Sequence, residues 1–318
     1  MFIEHFKVTG IAVFQIFLLA AVGFFLTKKK FLSSQGLDDL SRLVMNVTLP
    51  ILIFCQLIKD FSFNLYPDWW IFPLISIAIT LLGLLAGSLF LGFIKGEQEK
   101  LQFLSLTAFQ NSGYLPLALV AALLSPEKTG EMFIYLFLFL MGFNLVMFSL
   151  GVHILNFHKQ RKIKIQSLFS APVVATILSL AVVYLGWSRF FPQVMIKPLR
   201  IFGDTTLPLA MLVVGGNLAQ IDLSRINKKA VSLLILAKMI ILPLIGIVLI
   251  NIFKIPGLIG LLIIIQLSMP SAVTLSVILR GYKKDDILAS QGIFVTHLAG
   301  IITIPIFLIL YFSRFMVK

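Results

Sequence analysis

Charge is scarce in this chain. Asp, Glu, Lys and Arg make up 12% of its 318 residues, against about a quarter in soluble domains. Apolar residues make up 59% and the mean hydropathy is +1.04, so a soluble globule is excluded and the bilayer is the solvent. Acidic residues are scarcer still, 13 against 26 basic ones, and only Asp204 falls well inside an apolar run. The single cysteine, Cys55, excludes an internal disulfide and suits packing. No cluster of His, Cys and acid has metal-ligand spacing, and no glycine-rich phosphate loop, Walker-type lysine or Gly-x-Ser-x-Gly is present. These absences argue against a nucleotide-driven pump, an intramembrane protease and a metalloenzyme; no catalytic residue, cofactor or metal is expected, and the chain is read as not an enzyme.

What is present is a series of apolar runs near 20 residues long. A backbone in lipid must satisfy its own hydrogen bonds, and strands would need only about 10 alternating residues, so the runs are helices. Ten are expected, at roughly 8–27, 39–58, 69–94, 101–124, 132–157, 171–187, 194–221, 230–253, 257–280 and 287–312. No connection exceeds about 15 residues, so no appended domain is expected. The first run is a retained span, not a signal peptide, because Lys28-Lys29-Lys30 follows it. Sixteen Lys and Arg are counted with the odd-numbered loops and nine with the termini and the other loops. The odd loops, with Lys159 to Lys164, Arg225, Lys228, Lys229, Arg280, Lys283 and Lys284, are therefore placed in the cytoplasm and both termini outside. The net charge of +13 is explained by this topology and by anionic membrane lipids, without nucleic acid as a partner.

The chain also repeats itself. Met45-Asn46-Val47-Thr48-Leu49-Pro50 returns as Gly203-Asp204-Thr205-Thr206-Leu207-Pro208, 158 positions later. Two spans after each copy comes an interruption, Gln110-Asn111-Ser112-Gly113-Tyr114-Leu115-Pro116 in span 4 and Gln266 to Thr274 in span 9. Two repeats of five spans each, about 1–158 and 159–318, must be inverted relative to one another, because five is odd. If spans 4 and 9 both unwind, inverted symmetry makes them cross near the midplane with two half-helix N-termini aimed at one spot, an arrangement that favours an anion. Gln110, Asn111, Ser112, Gly113, Tyr114, Ser268, Ser271 and Thr274 are the candidate substrate contacts, Pro116 and Pro270 mark the crossover, and Asn46 lies on the facing wall.

Three ionisable residues in spans have competing readings. Asp204 either couples transport to an ion or caps and positions span 7; Asn46 at its matching position argues against a symmetric pair of carboxylates. Lys238 is a counter-charge beside the broken helices, an attractor of substrate, or a snorkelling side chain. His297 either titrates in coupling or packs in a hydrogen bond. Asn144 is expected to bond a neighbouring helix.

In Val47-Thr48-Leu49-Pro50, Asn111-Ser112-Gly113-Tyr114-Leu115-Pro116, Gly203-Asp204 to Pro208, Lys238 to Pro243 and Met269-Pro270-Ser271-Ala272, the sequence resembles the auxin efflux carrier family across nearly its whole length. The resemblance implies an all-α polytopic fold of ten transmembrane helices in two inverted repeats, similar to bile-acid symporters and Na+/H+ antiporters. It further implies a scaffold in 8–58 and 171–221, and moving transport helices in 69–157 and 230–312. Elevator-like export of a small organic anion from a prokaryotic inner membrane, and a homodimer formed through the scaffold, follow by analogy. By the same carry-over Asn111 and its neighbours hold the substrate carboxylate, in an auxin-like acid or a dicarboxylate. The sequence departs from the pattern at Leu115, where bacterial members often carry Gly, and at Thr274, near an expected Asn. A Na+-coupled organic-anion symporter and a non-transporting membrane sensor of the same ligand are the competing readings.

Overall fold

The structure, a computed structural model, describes residues 2–155, 168–223, 226–255, 257–281 and 286–315. The basic segment from Lys159 to Lys164, Arg225, Lys283 and Lys284, and the side chain of Arg280, read above as cytoplasmic anchors, lie outside the described residues. The described chain is helical throughout, apart from its turns and one isolated bridge pairing Gln110 with Ser271.

In chain order the helices are α1 (Phe2–Lys28), α2 (Ser34–Asp60), α3 (Ile71–Ser88), α4 (Glu97–Ala108), α5 (Tyr114–Leu123), α6 (Pro126–Leu155), α7 (Ala171–Tyr184), α8 (Gln193–Ala219), α9 (Lys228–Phe253), α10 (Gly257–Ser268), α11 (Thr274–Gly281) and α12 (Ile287–Phe315). Among the described residues, seven of these are long and apolar enough to cross a membrane: α1, α2, α3, α6, α8, α9 and α12. The other three expected runs differ for physical reasons. Spans 4 and 9 are each split by their polar interruption, into α4 with α5 and α10 with α11. The sixth run yields α7, whose 14 residues reach only about 21 Å at 1.5 Å per residue.

Glycine sets the closest helix contacts. In lipid, helices gain nothing from burying apolar surface against each other, so small residues that let backbones approach supply the packing. A Cβ on Gly23 of α1 would stand 2.7 Å from Leu212 Cα on α8, and one on Gly215 of α8 would stand 2.9 Å from Phe24 N. These two helices run along each other in the most extensive contact of the bundle, while α7 lies along the second half of α2. On the other side α3 packs against α6 and α4, and α9 and α12 flank α10. Large apolar side chains such as Phe14, Leu85 and Leu178 point outward, as lipid contact requires.

Three helices contain a π-helical turn: Val44–Thr48 in α2, Met147–Gly151 in α6 and Ile235–Ile241 in α9. Two of them lie just before a proline, Pro50 and Pro243. Proline offers no N–H to the carbonyl one turn back, and a local register slip accommodates that gap. The slips place Asn46 and Lys238 inside the widened turns. The second copy of the repeat behaves differently, because α8 bends at Thr205 with no π turn.

Candidate functional site

The two interrupted spans cross. After α4 ends at Ala108 and α10 ends at Ser268, both chains run extended and antiparallel for a few residues before α5 and α11 begin. Asn111 N–H donates to the Pro270 carbonyl at 2.8 Å, and Ala272 N–H donates to the Phe109 carbonyl at 2.9 Å. Each break thus satisfies part of the other's backbone, which is how unwound chain is tolerated at membrane depth. Pro270 suits this strand because it contributes only a carbonyl. Pro116, expected to mark the crossover, instead sits in the first turn of α5, where a missing N–H costs no helical bond.

Side chains from remote positions secure the last turn of α4. Ser271 Oγ donates to the Leu106 carbonyl at 2.7 Å, and Lys238 Nζ donates to the Thr107 carbonyl at 2.8 Å. Lys238 is fully buried in α9, which does not fit the snorkelling reading, and its Nζ meets the C-terminal, partially negative end of a broken helix. Thr296 Oγ1 accepts from Ser271 N–H at 3.2 Å, and Gln266 Nε2 donates to the Ser112 carbonyl at 3.2 Å. His297 is buried, with Nδ1 2.7 Å from the Ile293 carbonyl of its own helix; a carbonyl can only accept, so Nδ1 carries the proton.

A cavity of about 70 Å³ opens at the crossing, lined by Gln110, Asn111, Ser112, Gly113, Tyr114 and Thr274, with Asn144 and Phe143 from α6. A second cavity, of about 280 Å³, holds Asp38, Ser41, Arg42 and Asn46 along α2 with Asn217 on α8. The two share Met45, Tyr114, Val273 and Thr274. At their meeting point α5 begins, and the N–H groups of its first turn carry the positive end of its dipole. Gln110 is buried, and neither atom of its side-chain amide has a partner among the described residues.

The structure therefore brings Gln110, Asn111, Ser112, Gly113, Tyr114, Thr274 and Asn46 to the walls of two adjoining cavities. It does not bring Ser268 or Ser271 there. Both are buried behind the crossing and line neither cavity; the Ser271 hydroxyl is taken by Leu106. Asp204 is also elsewhere, paired with Arg200 Nε at 2.9 Å and with its side chain 55% exposed. Arg200 Nη1 in turn donates to Gln56 Oε1 at 2.7 Å, so Asp204 belongs to a polar cluster between α2 and α8. The Arg200-to-Asp204 spacing of four residues on one helix was the signal for that pair. Asn144 lines the first cavity instead of serving only a helix contact, and Arg42 lines the second.

Comparison with known proteins agrees with this architecture. A family model described as membrane transport protein matches the chain twice, over residues 9–167 and 154–308. An uncharacterized transporter of Methanocaldococcus jannaschii is 26% identical over 301 residues, which cover 92% of this chain and 95% of that protein. With seven long apolar helices among the described residues the chain is a multi-pass membrane protein, and it belongs to the membrane transport protein family, that of the auxin efflux carriers.

Proposed function

We propose that the protein is a secondary or facilitative transporter that exports a small organic anion, a carboxylate, by elevator-like alternating access. The observation that carries this reading is the pairing of opposite helix ends at the crossover. The negative end of α4 is held by the Lys238 ammonium, which leaves the positive N-terminal end of α5 and the amides of Gln110 and Asn111 facing the cavity. A carboxylate there accepts from those donors in a site of low dielectric, where charge-assisted hydrogen bonds are strong.

The double match of the family model, over nearly equal halves, supports ten spans in two inverted repeats, with α4–α5 and α10–α11 as the broken fourth and ninth. The paired packing of α1 on α8 and of α7 on α2 supports these as scaffold, with α3 to α6 and α9 to α12 as the moving part. The cavities continue toward Arg42 at the start of α2, the end assigned by charge to the cytoplasm, which is consistent with an inward-facing state. Placement in a prokaryotic inner membrane with both termini outside, and a homodimer through the scaffold, complete the reading.

Among the described residues no acid other than Asp38 lines either of the two adjoining cavities, and Lys238 supplies the positive charge that a bound cation would supply. That favours transport without Na+ over a Na+-coupled symporter. The test is flux of a panel of radiolabelled carboxylic acids, including malonate and indole-3-acetate, in proteoliposomes with and without Na+ and proton gradients. Saturable flux independent of Na+ is expected. Strict Na+ dependence would replace this reading with the symporter, and binding without flux would replace it with a sensor.

A further inference from the structure

The repeat that relates α2 to α8 contains an unmatched charge. Arg42-Leu43-Val44-Met45-Asn46 and Arg200-Ile201-Phe202-Gly203-Asp204 stand at the same 158-residue offset. In the second copy the guanidinium is neutralised, by Asp204 at 2.9 Å and by Gln56 Oε1 at 2.7 Å. In the first copy the residue four positions on is Asn46, which carries no charge, and among the described residues Arg42 holds no ion pair, although Asp38 and Asp39 lie four and three positions before it on the same helix and only Asp38 shares its cavity.

Asp38, Arg42 and Asn46 follow one another at single-turn spacing on one face of α2, and all three line the 280 Å³ cavity. That cavity adjoins the one at the crossing, and Met45, Tyr114, Val273 and Thr274 line both. Arg42, Asn46, Asn111 and the start of α5 therefore follow one another along two adjoining cavities. All present hydrogen-bond donors, and of the three side chains only Arg42 carries a full charge.

We propose that Arg42 is the entry station for the transported anion, a carboxylate-binding guanidinium that captures the substrate in the vestibule before it reaches the crossover. This rests on the reading of the protein as an organic-anion carrier. A guanidinium suits the task because its planar fork matches a carboxylate and stays charged at every working pH. A vestibule with low-dielectric walls also focuses its field on incoming ions. Asp38, one turn outward in the same cavity, opposes it, so the two residues together set how strongly the vestibule attracts an anion.

A plain alternative is that Arg42 only orients α2 by the positive-inside rule. The two roles separate experimentally. Malonate and indole-3-acetate flux is measured in proteoliposomes of the full chain, with substrate presented on the Arg42 side, at low salt and at about 0.5 M salt. For R42Q, KM is expected to rise roughly 5- to 10-fold with kcat changed by less than about twofold, and the salt dependence of KM seen in the wild type should vanish. R42K should recover most of the affinity, and D38N should lower KM. R200Q, which removes the neutralised twin, should leave KM for both acids unchanged. An R42Q protein with wild-type KM and wild-type salt dependence overturns the entry station while leaving the carrier intact. If neither acid binds nor moves in the wild-type protein, the carrier reading fails first and the entry station falls with it.

Discussion

Replacing Lys238 by methionine separates the fold of this protein from its transport. The side chain is fully buried and its ammonium has one hydrogen bond, to the Thr107 carbonyl at 2.8 Å. Losing that donor leaves a buried carbonyl unpaired, at a cost of about 1–3 kcal/mol. Yet the substitution also removes a buried charge, whose desolvation costs several kcal/mol. The two oppose, so overall stability should change little or rise, and Tm should move by only a few degrees. Anion binding should change with one sign only. From Thr107 to Asn111 is four residues, at most about 14 Å of extended chain, so the ammonium lies within roughly 17 Å of a carboxylate at Asn111. At an effective dielectric of about 20 that attraction is worth about 1 kcal/mol, or roughly fivefold in affinity. Loosening of the α4 end, one residue from the Phe109–Ala272 bond, adds to the loss. The assay is acid-dependent thermal shift and flux on K238M and wild-type protein in parallel. A K238M protein that binds and moves carboxylates like the wild type would refute the idea that opposite helix ends are divided between a fixed cation and a mobile anion.

Other substitutions test neighbouring parts of the argument. N111A should lose the stabilisation that a bound acid gives; at 100 times the Kd that stabilisation is about 2.7 kcal/mol in the wild type, readable as a vanished thermal shift. D204N breaks only a half-exposed pair with Arg200, worth about 0–1 kcal/mol, so flux and its response to proton and Na+ gradients should be unchanged; altered gradient dependence would restore Asp204 to a coupling role. G215L forces a side chain into the backbone of α1 at Ala20 and Phe24, and should cost more than about 3 kcal/mol or prevent assembly, seen as loss of a monodisperse peak in detergent. S271A leaves the Leu106 carbonyl without its hydroxyl donor, at about 1–3 kcal/mol; lowered Tm is expected, with the Kd for a stabilising acid nearly unchanged, because Ser271 does not line the cavity.

Much of the architecture was legible because lipid imposes rules on sequence. Polar residues with Gly and Pro in an apolar run must break the helix or line a cavity, so residues 110–116 and 266–274 announced the crossing. Lys238 announced itself too, since a cation amid apolar residues requires a partner. The identity of the partners was hidden, because Ser271 meets Leu106 and Lys238 meets Thr107 across 165 and 131 positions of chain. Those pairings depend on which residue of one break lies against which of the other, a register set by backbone bonds between Asn111 and Pro270 and between Ala272 and Phe109. A single step in that register would exchange Ser271 for a neighbour and turn its hydroxyl toward the cavity. Candidate residues chosen by type alone therefore divided according to the register: Asn111 and Thr274 fell on the open side, Ser268 and Ser271 on the packed side.

The differences between the halves matter more for mechanism than their likeness. A perfectly symmetric pair of repeats would present both broken helices alike, with the same donors and the same fixed charges at each. Here one copy of the repeated segment neutralises its arginine with Asp204, while the other replaces that acid by Asn46 and places Arg42 on a cavity wall. At the crossing, Lys238 reaches α4, and no second buried cation is found for α10 among the described residues. On the proposed inverted architecture, inversion builds the crossing, and the departures from it distinguish its two broken helices.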